Sequence, residues 1–193
     1  MNQLASVLNR VVSLPVGQVI FGSLLAPDKL LCFRLLWMAK NDQHARQAFL
    51  NGKPWDEHID HSNTQTMKQI IARYGWPGEK RVGQMGAEAA WLLVLHADHD
   101  RPFQKRCHHL LEEAVNRKDA QPKHFAYLTD RICLGDNIPQ VYGTQWDYPI
   151  ADQEHVDERR AAVGLSSLAD YLNESSQMRK KKKKLKGLNT SQE

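Results

Sequence analysis

His96, Asp98, His99 and Asp100 place four titratable side chains within five positions of the chain. An imidazole beside carboxylates suits proton transfer, because the carboxylate orients the ring while the ring exchanges a proton near neutral pH. On this reading His96 is the general base or acid, oriented by Asp98 or Asp100. Asp42, Gln43 and Arg46 project from one stretch, with Asp42 and Arg46 one helical turn apart. Left on a surface, that pair is an ordinary ion pair worth ~0.3 to 0.5 kcal/mol. Lining a pocket, Arg46 or Arg131 would hold an anionic group, with Gln104, Gln140 and Gln145 reading amides or hydroxyls. The spacing His58-x-Asp60-His61 repeats as His96-x-Asp98-His99, as two halves of a histidine and carboxylate metal site would. Two such matches among nine histidines are also what chance and helix capping produce. No GxSxG, P-loop, GxGxxG or HExxH occurs, which argues against serine hydrolases, P-loop enzymes, Rossmann dehydrogenases and the common zinc peptidases.

These residues need elements to carry them. Between Ala87 and Leu95 only Glu88 is polar, so Gly86 to His96 reads as a helix buried on all sides, with Ala90, Leu93 and Val94 fully inside. The titratable cluster then sits at its carboxyl end. A long helix precedes it from Pro27 to about Asn51, with Asp28 favouring its amino end. Next comes a linker, KPWDEHIDHSN, from which Ser62 or Asn63 caps a helix reaching Tyr74. After the cluster, Asp98 or Asp100 caps a helix with Pro102 in its first turn. Another helix runs from Pro122 to about Leu134, with Asp130 and Arg131 available for pairing. The run NIPQVYGTQWDYPIAD favours an ordered loop or short hairpin, and two short helices separated by Gly164 follow, the first ending near Arg159 and Arg160. The fold class expected is mainly α, a single helical domain of six to eight helices around the buried one.

A chain of 193 residues with 41% hydrophobic content suits one core rather than two. The domain reading is an apolar arm over residues 1–26, a helical domain over 27–175 and a disordered basic tail over 176–193. Seven of the 26 basic residues fall between Arg179 and Lys186, leaving 19 elsewhere against 22 acidic ones. The net charge of +4 therefore belongs to the tail, and the folded part is mildly acidic. Such a run gives weak nucleic-acid or anionic-surface contact, and without interleaved aromatics it specifies neither. The arm, interrupted by Pro15, Gly17 and Gln18, falls short of a membrane span. The cysteines Cys32, Cys107 and Cys133 are odd in number and far apart, which fits reduced thiols and a cytoplasmic setting.

The motifs YGWP at Tyr74 to Pro77, HADHD at His96 to Asp100 with Phe103-Gln104, Asp130-Arg131, and QVYGTQ at Gln140 to Gln145 carry a resemblance. With the closing PIAD and VDERRAAVGLSSLADYL, the chain from about Leu30 to Leu172 resembles a bacterial family known only as a domain of unknown function. The resemblance implies a shared fold and brings no established activity. It maps the family's motifs onto Asp42, Gln43, Arg46, Asp60, Asn63, His96, Asp98, Asp100, Gln104, Asp130, Arg131, Gln140, Tyr142, Thr144 and Gln145. That set is almost wholly polar, the composition of a site rather than a core. Three functions remain open. One is an enzyme or small-ligand-binding protein built on His96 and Asp98, with a small-molecule or protein partner and no cofactor or metal. Another is a non-catalytic interaction protein whose polar set is a hydrogen-bond network. The last is a metal-dependent hydrolase, since His61, His99-Asp100 and Asp130 resemble the ligand order of the HD phosphohydrolases.

Overall fold

A computed structural model of the chain describes residues 15–177. Most of the apolar arm and the whole lysine run lie outside the described residues. The helices in chain order are α1 (Val16–Leu24), α2 (Lys29–Leu50), α3 (Glu57–Tyr74), α4 (Glu79–Leu95), α5 (Arg101–Asn116), α6 (Pro122–Gly135) and α7 (Val156–Ala162). A 3-10 turn over Gln153–His155 precedes α7, and residues 168–177 are helical again. The protein is mainly α, as its apolar periodicity predicts.

α4 is the hub. From Gly86 to Leu95 every residue is buried, including Ala90, Leu93 and Val94, and α1, α2, α3, α5 and α6 all pack against this helix. α2 makes the most extensive contact, which Gly86 permits: a Cβ there would stand 3.1 Å from the Cys32 sulfur and closer still to Val82. Nearer its start α4 kinks at Gly83, whose φ of 69° strains any side-chain-bearing residue. Trp91 on α4 stacks on His124 of α6 at 4.3 Å and meets Tyr127 edge-on at 5.8 Å. All three cysteines are free and buried, and burial pushes the Cys107 thiol up to about 12, leaving little reactive thiolate.

Aspartates set the helix starts. Asp28 accepts from Leu31 N at 3.1 Å, so it caps α2 and Pro27 precedes the helix, and of the two candidates Asp98 and Asp100 it is Asp100 that accepts from Phe103 N, at 3.1 Å. α3 departs from the expectation that Ser62 or Asn63 caps it. It begins at Glu57, because Asp56 accepts from His58 N at 3.0 Å and the acids Glu57 and Asp60 suit the positive end of the helix dipole. Asp60, His61 and Asn63 thus stand on a rigid helix instead of a linker.

Residues 140–150 adopt the ordered-loop alternative. Among the described residues no strand pairs form beyond an isolated parallel bridge between Gln140 and Ile150. Gln140 N donates to Pro149 O at 2.9 Å and Ala151 N to Gln140 O at 2.8 Å, so the chain returns parallel to its start after circling through Gly143 at φ 67°. A hairpin would require an antiparallel return.

Candidate functional site

The polar residues around the carboxyl end of α4 form two groups. In the first, His96 ends α4 and receives a partner from α2: its Nδ1 lies 2.9 Å from Asp42 Oδ2. The Asp42 side chain is wholly buried, whereas that of His96 is 13% exposed. Arg46, one turn along α2, donates Nε to Asp42 at 3.2 Å and Nη2 to Asp60 of α3 at 2.6 Å. Gln43 adds a donor to Asp42 Oδ2 at 2.7 Å, and Trp55 lies under the Arg46 guanidinium at 4.8 Å. Nδ1 of His96 is also 3.1 Å from Arg46 Nε. One ring nitrogen cannot donate to a carboxylate and accept from a guanidinium together. The carboxylate is the stronger partner, so Nδ1 carries the proton and Arg46 Nε serves Asp42.

The electrostatics follow from this geometry. Burial raises the Asp42 pKa, but the charges and hydrogen bonds of His96 and Arg46 outweigh it and hold the carboxyl below its usual range. At Asp60 burial prevails over Arg46, and the carboxyl lies above its usual range. Asn63, one turn beyond Asp60, keeps a buried Nδ2 donor that no hydrogen bond satisfies.

Asp98 and Asp100 face elsewhere. Asp98 accepts from Arg131 Nε at 2.9 Å and Nη2, and from Gln104 Nε2 at 3.3 Å. Burial raises its pKa, and the Arg131 hydrogen bonds more than reverse that. Asp100 caps α5 and pairs with Lys68. Gln104 is fully buried and donates to the carbonyls of Val94 and Leu95, at 3.3 Å each, in the last turn of α4, where Val94 O also accepts from Ala97 N at 3.1 Å. Its role there is to close the helix. His96 is therefore oriented by a carboxylate 54 positions upstream, brought in by α2 packing on α4.

The second group centres on Asp130, fully buried on α6. Its carboxylate accepts from Val141 N at 2.7 Å, Tyr142 N at 2.9 Å, and Thr144 N and Oγ1 at 2.8 Å each. Burial raises this carboxyl above the usual range against those four bonds. Gln140 donates to Gln145 O at 2.9 Å and Tyr148 O at 2.7 Å while accepting from Gln145 N at 2.8 Å. Gln145 reaches Arg131 at 3.5 Å, its side chain joining the loop to the Asp98 pair. Tyr142 contributes backbone: its carbonyl accepts from Arg160 Nη1 at 2.6 Å.

Arg159 and Arg160, outside the polar set that the motifs mark, both hold the loop. Arg159 donates to the carbonyls of Val141, Ala151 and Asp152, and Arg160, 1% exposed, to those of Tyr142 and Ser166. The available signal was a pair of arginines on a helix too short to need both as solvated charges.

The two HxDH copies do meet, with the His61 and His99 rings stacked at 4.1 Å. Even so, among the described residues no three His, Cys, Asp or Glu side chains are arranged to hold a metal ion. Of the order resembling HD phosphohydrolases, Asp100 is engaged by a helix start and Asp130 by the loop.

A family model matches residues 30–182, a span that includes both groups. The chain belongs to the family of unknown function DUF6624. No curated protein and no solved structure matches it. In this DUF6624 chain the match begins inside α2, one residue after its first, and takes in every residue of the His96 and Asp130 groups. Clefts of about 600 Å³ and about 310 Å³ lie near Tyr74, away from His96.

Proposed function

We propose that the protein is a proton-transfer enzyme acting on a small polar substrate, with His96 as general base or acid and Asp42 as its positioning residue. The observation that carries this reading is the 2.9 Å contact from His96 Nδ1 to a carboxylate with no solvent exposure. A buried acceptor on one nitrogen fixes the ring and its tautomer, which leaves the lone pair of Nε2 directed elsewhere, where no described residue bonds it. When Nε2 takes a proton, the Asp42 carboxylate stabilises the resulting imidazolium. Arg46 stands beside the pair as a group to hold an anionic or carbonyl oxygen, and Asn63, one turn beyond Asp60 on α3, keeps an unsatisfied donor. Asp98, Arg131 and Gln145 form a polar shelf at the edge of the same helix end.

One observation favours a second reading, a non-catalytic hydrogen-bond network: Arg46 is already engaged by Asp42 and Asp60. Asp42→Asn and His96→Gln separate the two. A thermal-shift screen of small carboxylates, phosphates and amides, with an assay panel of ester and phosphoester substrates, is run on wild type and both variants. The enzyme reading expects a compound that is bound or turned over by wild type and lost in both variants while they remain folded. Loss of stability in both variants, with no compound recognised by wild type, supports the network instead.

A further inference from the structure

We propose that the outer face of α1 and α2 docks on an anionic lipid surface, holding the protein peripherally on a bilayer. On α2, Leu30, Phe33 and Trp37 follow one another at helical spacing along the side opposite the core, and Phe33 stacks on Trp37 at 6.1 Å. On α1, Phe21 and Leu24, with Leu25 just past its end, lead into the same turn from which Leu30 emerges. Leu30 is 85% exposed, Leu25 75% and Phe21 65%. Isolated exposed apolar residues are normal, but a run of large ones across two adjoining helices marks a contact surface.

Charge decides which contact. Lys29 and Arg34 flank the stripe, and Arg34 lines a cleft of about 310 Å³ together with Leu30, Arg73 and Asp28. Neither Lys29, Arg34 nor Arg73 pairs with a carboxylate among the described residues. The acid in that cleft, Asp28, caps α2 and faces Arg81. An apolar ridge with aromatic rings and a cationic rim complements headgroup phosphates above acyl chains. A second copy of the chain fits less well, because a two-fold contact would set Lys29 and Arg34 against their own like charges. Stable peripheral binding takes two signals, an apolar insertion and a polybasic segment. The seven basic residues between Arg179 and Lys186 supply the second. Among the described residues no helix is long and apolar enough to cross a membrane, so the face lies on a bilayer and does not span it.

The full chain is tested by co-sedimentation and tryptophan fluorescence with phosphatidylcholine vesicles, alone or doped with phosphatidylglycerol. Binding is expected to the doped vesicles only, with a blue shift that Trp37→Phe removes. The pair Phe21→Ser with Trp37→Ser, shown folded by circular dichroism, should bind about tenfold or more weakly. Changing Lys180 to Lys184 to Gln should weaken binding and flatten its response to salt while keeping the Trp37 shift. No binding to doped vesicles overturns the proposal. So does binding that ignores Phe21 and Trp37 and vanishes with the lysines, which assigns it to the tail alone. Self-association lost in the Phe21 and Trp37 variant, without vesicle binding, assigns the face to a dimer.

Discussion

The Asp130 clamp and the His96 group are built from the same residue types but dispose of their hydrogen bonds differently. Around Asp130 the partners are mainly backbone: three N–H groups of the 140–145 loop enter one carboxylate, and Gln140, Arg159 and Arg160 satisfy carbonyls of the same segment. Such an arrangement specifies a loop conformation and offers nothing outward. Around His96 the partners are side chains from three helices, partly exposed, with Asn63 left unsatisfied and Nε2 unused. Polar composition alone does not distinguish a site from a scaffold; the kind of partner does.

The largest expected effect tests the clamp. Asp130→Ala strands three backbone donors, and its cost should be about 3 to 5 kcal/mol in urea unfolding, with proteolysis appearing at residues 140–145. A loss below about 1 kcal/mol would erase the difference between the two regions. The next test contrasts His96 with His124, which is buried against Trp91 and whose pKa burial lowers to about 3. The unfolded chain binds this proton below about 6.5 and the folded protein does not until about 3, so stability should decline as pH falls through that window. Allowing for relaxation around a charged ring, the loss should reach about 3 kcal/mol, and His124→Phe should flatten it in melts run from pH 7 to pH 4.

His96→Ala should cost about 1 kcal/mol, because Arg46 and Gln43 still satisfy Asp42, and ligand binding or turnover should disappear with it. A penalty as large as that of Asp130→Ala would make the His96 group a second clamp. Its pH signature is separate: the lowered Asp42 carboxyl stabilises the fold above its unfolded value of 3.8, and this is lost as pH falls through the folded value. Asp42→Asn should remove that strongly acidic component only. Smallest of all, Asp98→Asn breaks a partly exposed pair with Arg131 and should change stability by about 1 kcal/mol or less.

The α4 hub, the preference of Asp28 for the start of α2, an aspartate cap for α5 from Asp98 or Asp100, and the all-helical class were legible in the sequence because they depend on local periodicity and on aspartates next to helix starts. α3 starts well before the expected Ser62 or Asn63, since these offer the same capping chemistry as Asp56 and only the structure shows which is used. The site was legible as a set of residue types and not as a set of pairs. Neighbours in sequence, His96, Asp98 and Asp100, turn to α2, α6 and α3 respectively. At a helix end each residue rotates away from the last, so adjacency in the chain gives divergence in space. Sequence alone thus determined where the core runs and which residues are polar beside it. Tertiary packing decided that Asp42 meets His96, that Asp130 receives a loop and that Gln104 closes a helix, because each partnership spans elements whose approach no local pattern encodes.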